Sequence, residues 1–468
     1  MQSPPTTLII FGATGDLTVR KIIPSLYFLF ENSRLPANFS VIGVSRRDMS
    51  GNAFRDFVAG VLTNSSRGNL DYRSLDRFLD IFTYSKVEFQ EEAGYQELAR
   101  TLDMRDRSHG KTNRLLYMAV PPTIFPTIFA HSGFKKIIEG GSVGGLLARV
   151  IVEKPFGEDA ASAQSLEQLL STCFTEDQIY RVDHYLAKDI LQQIVDFRFA
   201  NNLFEESWDK DAIESVHIRL WETLGIEKRG NFYDKIGTFK DVGQNHMLEM
   251  LALATMDAPK SFDAQDLRAE RIKVLQKLRP PQEKDMATHA FRAQHEGYRS
   301  IEGVDPNSTT ETYFAVRAEI DSPRWSGVSI FLESGKRMHE ARKEIIVTFK
   351  KPFQNTITFR IEPREEMIIE FMSKKRGIFE EGRKKREFRF SLHEMDAGKQ
   401  YLAEYGKMII EAIEGDQKLF LNKEEVAAAW HFTDPIINAW KKNLVPLASY
   451  VPGSDEAIHS FTQNPNML

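Results

Sequence analysis

The chain has 468 residues, 42% hydrophobic and 27% charged, the composition of an ordinary globular protein of two or three domains. Its 61 basic and 66 acidic residues leave a formal charge of −5, so no overall basic footprint points to nucleic acid. One cysteine, Cys173, excludes a disulfide framework and a thiolate zinc site, and no apolar run reaches the ~18 residues of a membrane span. The N-terminus lacks the basic and apolar regions of a signal peptide, and the lone thiol fits a reducing compartment, so a cytoplasmic location is expected.

The first third alternates strand and helix signals. "TLIIF" (7–11) is a continuous apolar run of the kind buried parallel strands show, and "LTVRKIIPSLYFLF" (17–30) follows with helical spacing. "SVIGVS" (40–45) reads as a second strand, "RSLDRFLDIFTYS" (73–85) as helix, "NRLLYMAV" (113–120) as strand and "LARVIVEKPFG" (147–157) as strand into loop. This rhythm predicts a Rossmann-type, doubly wound parallel sheet over residues 1–180. Beyond about residue 210, "IESVHIRLW", "ETYFAVRAEI", "GVSIFLES", "EIIVTF", "NTITFRIEP", "EMIIEFMS" and "KREFRFSLH" are strand-like, with gaps mostly too short for crossover helices. The expectation is a larger β+α domain over 181–468, built on a mostly antiparallel sheet, with helices near 241–256 and 264–278 and again at the C-terminal end.

"TLIIFGATGDLTVRK" sets Gly12 and Gly15 between a buried strand and a helix N-terminus. Glycines there permit a tight turn and close backbone approach to a pyrophosphate. The spacing is G-x-x-G rather than the longer fingerprint, so the second strand must add context. It ends in Ser45-Arg46-Arg47, where an NAD enzyme would carry an acidic residue for the ribose hydroxyls. Two guanidinium groups at that point suit a 2′-phosphate and predict NADP, while Asp48 leaves NAD use open. Lys154, at the end of another apolar strand, is expected in the crevice at the carboxyl ends of the strands, and Pro155 restricts it to an extended backbone.

A nicotinamide site needs a base for the substrate hydroxyl, and histidine backed by a carboxylate is suited to that. Two of the eleven histidines stand out: His184 in "IYRVDHYLAKD" and His246 in "KDVGQNHMLEM". The polar residues Asp241, Gln244, Asn245 and His246 meet the start of an apolar helix and can converge on one cavity. "YLAKDILQQIVDFRF" also reads as helix, and its spacing places His184, Tyr185 and Lys188 on one face, a phosphate-binding set. If His184 belongs to that set, it is not available as the base, and Asp183 faces elsewhere.

Taken together, eleven segments in order resemble the glucose-6-phosphate dehydrogenase family. They include "GATGDLTVRKIIPSLY", "IVEKPFG", "IYRVDHYLAKD", "WETLGIEKRGNFYD", "KDVGQNHMLEMLALATM", "SGKRM" and "YVPGS", and they run from residue 8 to about 454. The resemblance implies oxidation of β-D-glucose 6-phosphate to 6-phospho-D-glucono-1,5-lactone with NADP, the first step of the oxidative pentose phosphate pathway. It assigns His246 as general base and Asp183 as its partner. His184, Tyr185 and Lys188 would hold the phosphate, and Glu222, Asp241 and Lys336 the rest of the sugar. Lys154 would bridge substrate and nicotinamide, and Gly12, Ala13, Thr14, Gly15, Asp16, Leu17, Arg46 and Arg47 would hold the cofactor. No metal is implied, and a homodimer or homotetramer is. The family's usual second lysine, five positions after Lys336, is Ala341 here, so Arg342, Lys343 or neither replaces it. A dehydrogenase of another sugar and an inert NADP-binding regulator are the competing readings.

Overall fold

The computed structural model describes residues 5–65, 71–140, 148–201, 203–375, 382–392 and 397–462. The chain forms two compact units. The first is built on a seven-stranded sheet. Its strands are β1 (Thr6–Phe11), β2 (Phe39–Ser45), β3 (Phe82–Lys86), β4 (Asn113–Met118), β5 (Ala148–Glu153) and β6 (Ile179–Val182), with Phe420–Leu421 as the seventh. Apart from Phe420–Leu421, which pairs antiparallel with β6, the strands run parallel. β1 lies between β2 and β4, and all three are buried along their length, which is why they read as unbroken apolar runs.

Two expectations about this unit are corrected. The segment 73–85 is not one helix: the helix Tyr72–Leu79 ends and β3 begins at Phe82. "FTYSK" is rich in aromatic and β-branched residues and pairs with β2 at the sheet edge, where pleated packing overrides the apolar spacing. The boundary at residue 180 also gives way. The first unit continues to Ala187 and takes in the described residues of 397–423. The reason is apolar burial: Tyr405, Met408, Ile409, Ala412, Ile413, Leu419 and Phe420 share one core with Leu8, Ile10 and Leu26.

The second unit carries a ten-stranded sheet. Its order is Arg383–Ser391, Glu366–Lys374, Thr356–Glu362, Arg342–Phe349, Ile213–Trp221, Ser329–Gly335, Tyr313–Ile320, Ala290–His295 and Leu447–Tyr450, with Leu278–Arg279 paired to Tyr313–Ile320. Ser329–Gly335 runs parallel to Ile213–Trp221, and Leu447–Tyr450 parallel to Ala290–His295; the other pairs are antiparallel. The helices Leu248–Thr255, Ala264–Gln276 and Lys423–Lys441 belong to this unit. A buried Arg271 guanidinium joins two of them, its Nε 2.7 Å from Glu425 Oε1.

Ile409 is 1% exposed in the core shared with the first sheet. Ile409→Ala should therefore destabilise the first unit by about 2–4 kcal/mol, seen as a lower midpoint in its denaturant transition. A shift under about 0.5 kcal/mol would contradict the placement of this helix.

Candidate active site

The loop after β1 is a turn that only glycine fits. Gly12 has φ +90°, and a Cβ on it would lie 2.4 Å from the Ala119 carbonyl oxygen. The Gly12 and Ala13 N–H groups donate to the Val44 carbonyl at 2.9 and 3.1 Å, tying the loop to the end of β2. Gly15 N–H and the Thr18 hydroxyl donate to the Gly12 carbonyl at 2.9 and 3.0 Å. Arg46 and Arg47 stand exposed just past β2, and the Tyr84 hydroxyl donates to the Arg47 carbonyl at 2.5 Å. A backbone cradle that a side chain would fill, with two exposed guanidinium groups at the next strand end, fits a nicotinamide dinucleotide.

At the ends of β5 and β6 the first unit gathers further titratable groups. Lys154 follows β5 and precedes Pro155 through a cis peptide bond. Its neighbour Glu153 accepts the Tyr117 hydroxyl at 2.5 Å, and burial pushes its carboxyl up to about 7. Lys21, in the helical stretch after the glycine loop, is brought down to about 8 by burial and by Arg20. Neither Glu153 nor Lys21 stood out in the sequence, where each reads as one charge in a polar–apolar boundary.

Beyond β6 the helix expected from residue 185 begins only at Asp189. Residues 184–187 are turns, and the α-helix is Asp189–Phe199 with Lys188 extended at its N-cap. Asp183 is the cause: its Oδ1 accepts the Tyr185 N–H at 3.0 Å, and its carbonyl accepts the Leu186 N–H at 3.0 Å. His184, Tyr185 and Lys188 therefore do not share a helix face; they precede the helix. His184 Nδ1 lies 3.8 Å from Glu404 Oε2, and its pKa is lowered by burial against the pull of Glu404 and Asp183.

In the second unit, Phe239–Met247 is π-helical before the α-helix Leu248–Thr255 begins. Bonds from i to i+5 set residues five apart one turn from each other. Asp241 and His246 thus lie on one side of the segment, whereas an α-helix would hold them roughly 140° apart. His246 is buried, with its N–H 2.7 Å from Asn245 Oδ1. The Lys336 ammonium is also buried; it pairs with Glu222 Oε2 and lies 3.8 Å from Asp241 Oδ2. The structure thus brings together three residues that the sequence separates widely: Glu222, Asp241 and Lys336.

Lys343, rather than Arg342, adds a second cation. Its Nζ lies 3.3 Å from Glu222 Oε1, while Arg342 turns to Glu340 at 2.7 Å. Adjacent residues of a strand face opposite ways, which separates the two. Burial pushes the Glu222 carboxyl up, but Lys336 and Lys343 hold it below its ordinary value. The Tyr450 hydroxyl fixes the Lys336 carbonyl at 2.6 Å, and the Tyr233 ring lies 5.7 Å from its ammonium. These two tyrosines were not distinguishable in the sequence from ordinary core aromatics.

A parallel dinucleotide-binding sheet with a glycine turn defines a nicotinamide-dependent oxidoreductase. Family models described as the NAD binding domain and the C-terminal domain of glucose-6-phosphate dehydrogenase match residues 9–193 and 195–463. The glucose-6-phosphate 1-dehydrogenase of Chlamydia muridarum is 36% identical over 96% of this chain and 93% of its own. A solved glucose-6-phosphate dehydrogenase in complex with its substrate glucose-6-phosphate superimposes with a TM-score of 0.87 at 30% identity, covering 97% of this chain and 96% of that one. The glucose-6-phosphate 1-dehydrogenase of Mycobacterium avium gives 0.84 at 30% identity, over 98% of both chains. The chain belongs to the glucose-6-phosphate dehydrogenase family. No helix among the described residues is long and apolar enough to cross a membrane.

Gly12→Ala should weaken nicotinamide-dinucleotide binding by at least ~10-fold, because both the positive φ and the Ala119 contact oppose a methyl group there. Calorimetric titration of the folded variant checks this, and unchanged affinity would contradict the loop as the cradle.

Proposed function

We propose that the chain oxidises β-D-glucose 6-phosphate at C1 to 6-phospho-D-glucono-1,5-lactone, with NADP+ as the hydride acceptor. Family membership along nearly the whole chain is the observation that carries this reading. In it, His246 takes the C1 hydroxyl proton at its imidazole nitrogen as the C1 hydride departs and the C1–O bond becomes a carbonyl. When bound, the nicotinamide supplies the acceptor for that hydride. Asp183 stabilises the imidazolium and fixes its tautomer. Its Oδ1 is already used by the Tyr185 N–H, so the carboxylate enters this role with a set orientation.

His184, Tyr185 and Lys188 hold the substrate phosphate. His184 would gain a proton more readily once a dianion offsets its burial. Lys336 and Lys343 orient Glu222, and Glu222 and Asp241 then accept hydrogen bonds from sugar hydroxyls. Binding energy from the phosphate end holds C1 in place at the reacting end. Lys154 spans substrate and nicotinamide. Gly12, Ala13, Thr14, Gly15, Asp16 and Leu17 receive the pyrophosphate, and Arg46 and Arg47 favour the 2′-phosphate of NADP over NAD.

The reading extends to a cytoplasmic homodimer or homotetramer that begins the oxidative pentose phosphate pathway. Exposed Phe388 and Phe390 on the outer strand Arg383–Ser391 support association through the large sheet.

Mixing the protein with NADP+ and glucose 6-phosphate should produce NADPH, with galactose 6-phosphate and free glucose much poorer substrates. No reduction, or equal rates with all three sugars, would contradict the proposal. His246→Asn should lower kcat by at least ~10²-fold with little change in substrate affinity. A near-normal kcat would remove His246 from the role of base.

A further inference from the structure

A cleft of about 120 Å³ in the second unit lies beside the start of the π-helical segment, lined in part by Lys235, Lys240, Arg292, Glu311, Trp440 and Lys441. Its basic groups share one carboxylate, Glu311, and outnumber it. Arg292 is 3% exposed, yet its donors go to neutral acceptors: Val445 carbonyl at 2.8 Å, Thr309 carbonyl at 3.4 Å and Asn443 Oδ1 at 3.1 Å. A guanidinium has five N–H donors, so capacity remains. Among the described residues Arg292, Lys235, Lys240 and Lys441 form no ion pair. A buried cation without a paired anion is costly, and such a site gains by taking one up.

Two further side chains complete the wall. Trp440 lines the cleft, and its ring lies 5.9 Å from the Arg292 guanidinium carbon. Glu311 is the one carboxylate among the lining residues, and its Oε1 is occupied by the Phe239 N–H at 2.9 Å. Burial pushes its carboxyl up to about 7, against the pull of Arg292 and Lys240, so it carries only part of a negative charge at neutral pH.

We propose that this cleft binds a small inorganic dianion of the phosphate class, held by Arg292 and the lysines at 235, 240 and 441. The space suits an ion rather than a sugar phosphate, and four basic groups suit a double charge. None of these residues belongs to the set proposed to hold the substrate phosphate. The site has a structural route to the chemistry: Lys240 directly precedes Asp241, and Glu311 caps the helical segment that carries His246.

The test is calorimetric titration of the full chain with inorganic phosphate, comparing wild type, the double variant Lys235→Glu/Lys441→Glu, and Lys188→Ala. Lys235 and Lys441 are exposed, so the double variant should fold, and its thermal midpoint verifies that. Saturable binding should persist in Lys188→Ala and weaken at least ~10-fold in the double variant, whose KM for glucose 6-phosphate should stay within ~2-fold of wild type. Loss of phosphate binding in Lys188→Ala with no change in the double variant would overturn the proposal, as would the absence of saturable binding in wild type. Phosphate binding is measured without turnover, and only the KM control depends on the proposed oxidation, so the two failures are distinguishable.

Discussion

The pairing of the buried Lys336 ammonium with Glu222 and Asp241 is the constraint around which the candidate site of the second unit is arranged. A buried ammonium must be paired, so three chain segments have to end at one point. The sheet register delivers two of them. Ser329–Gly335 runs parallel to Ile213–Trp221 with Gly335 opposite Trp221, which sets Lys336 and Glu222 side by side just past the strand ends. The Glu222 N–H donates to Gly335 and the Met338 N–H to Glu222, each at 2.9 Å, so backbone bonds hold the pair before the side chains meet. The third segment is the π-helical stretch with Asp241, whose first N–H is capped by Glu311.

In the proposed function, that stretch links substrate contacts to catalysis. Its wider turn aligns Asp241 with His246, so one element presents the proposed sugar-binding carboxylate and the proposed base on the same side. Gly237, at φ +73°, lets the backbone approach the Glu311 carboxylate where a Cβ would sit 2.4 Å from Oε1. The Tyr233 hydroxyl and Thr238 Oγ1, 2.6 Å apart, close the same corner. Two groups with different proposed tasks thus sit on one segment anchored by buried polar contacts, which is how a site keeps its geometry without a rigid covalent frame.

Much of this was legible in the sequence for physical reasons. Strands buried on both faces leave unbroken apolar runs, and the glycines of residues 12–15 mark a turn that excludes side chains. What the sequence hid also has physical causes. The segment 184–187 carries helical spacing but is turned by the Asp183 carboxylate, a local competition that periodicity cannot detect. The sequence showed that Asp241 and His246 could converge on one cavity, but not that a π-helical turn does it, because that backbone choice leaves no composition signal. The return of 397–414 to the first sheet depends on which apolar face it meets, and its own sequence does not record that. Lys343 was distinguishable from Arg342 only once the strand's two faces were assigned.

The account turns on hydride leaving C1 while a proton leaves its oxygen. The most direct measurement is oxidation of glucose 6-phosphate deuterated at C1, followed by NMR of the recovered nicotinamide. The account predicts one deuterium at nicotinamide C4 for each lactone formed, with none lost to solvent. Reduced cofactor without deuterium, or a label scrambled into water, would contradict it.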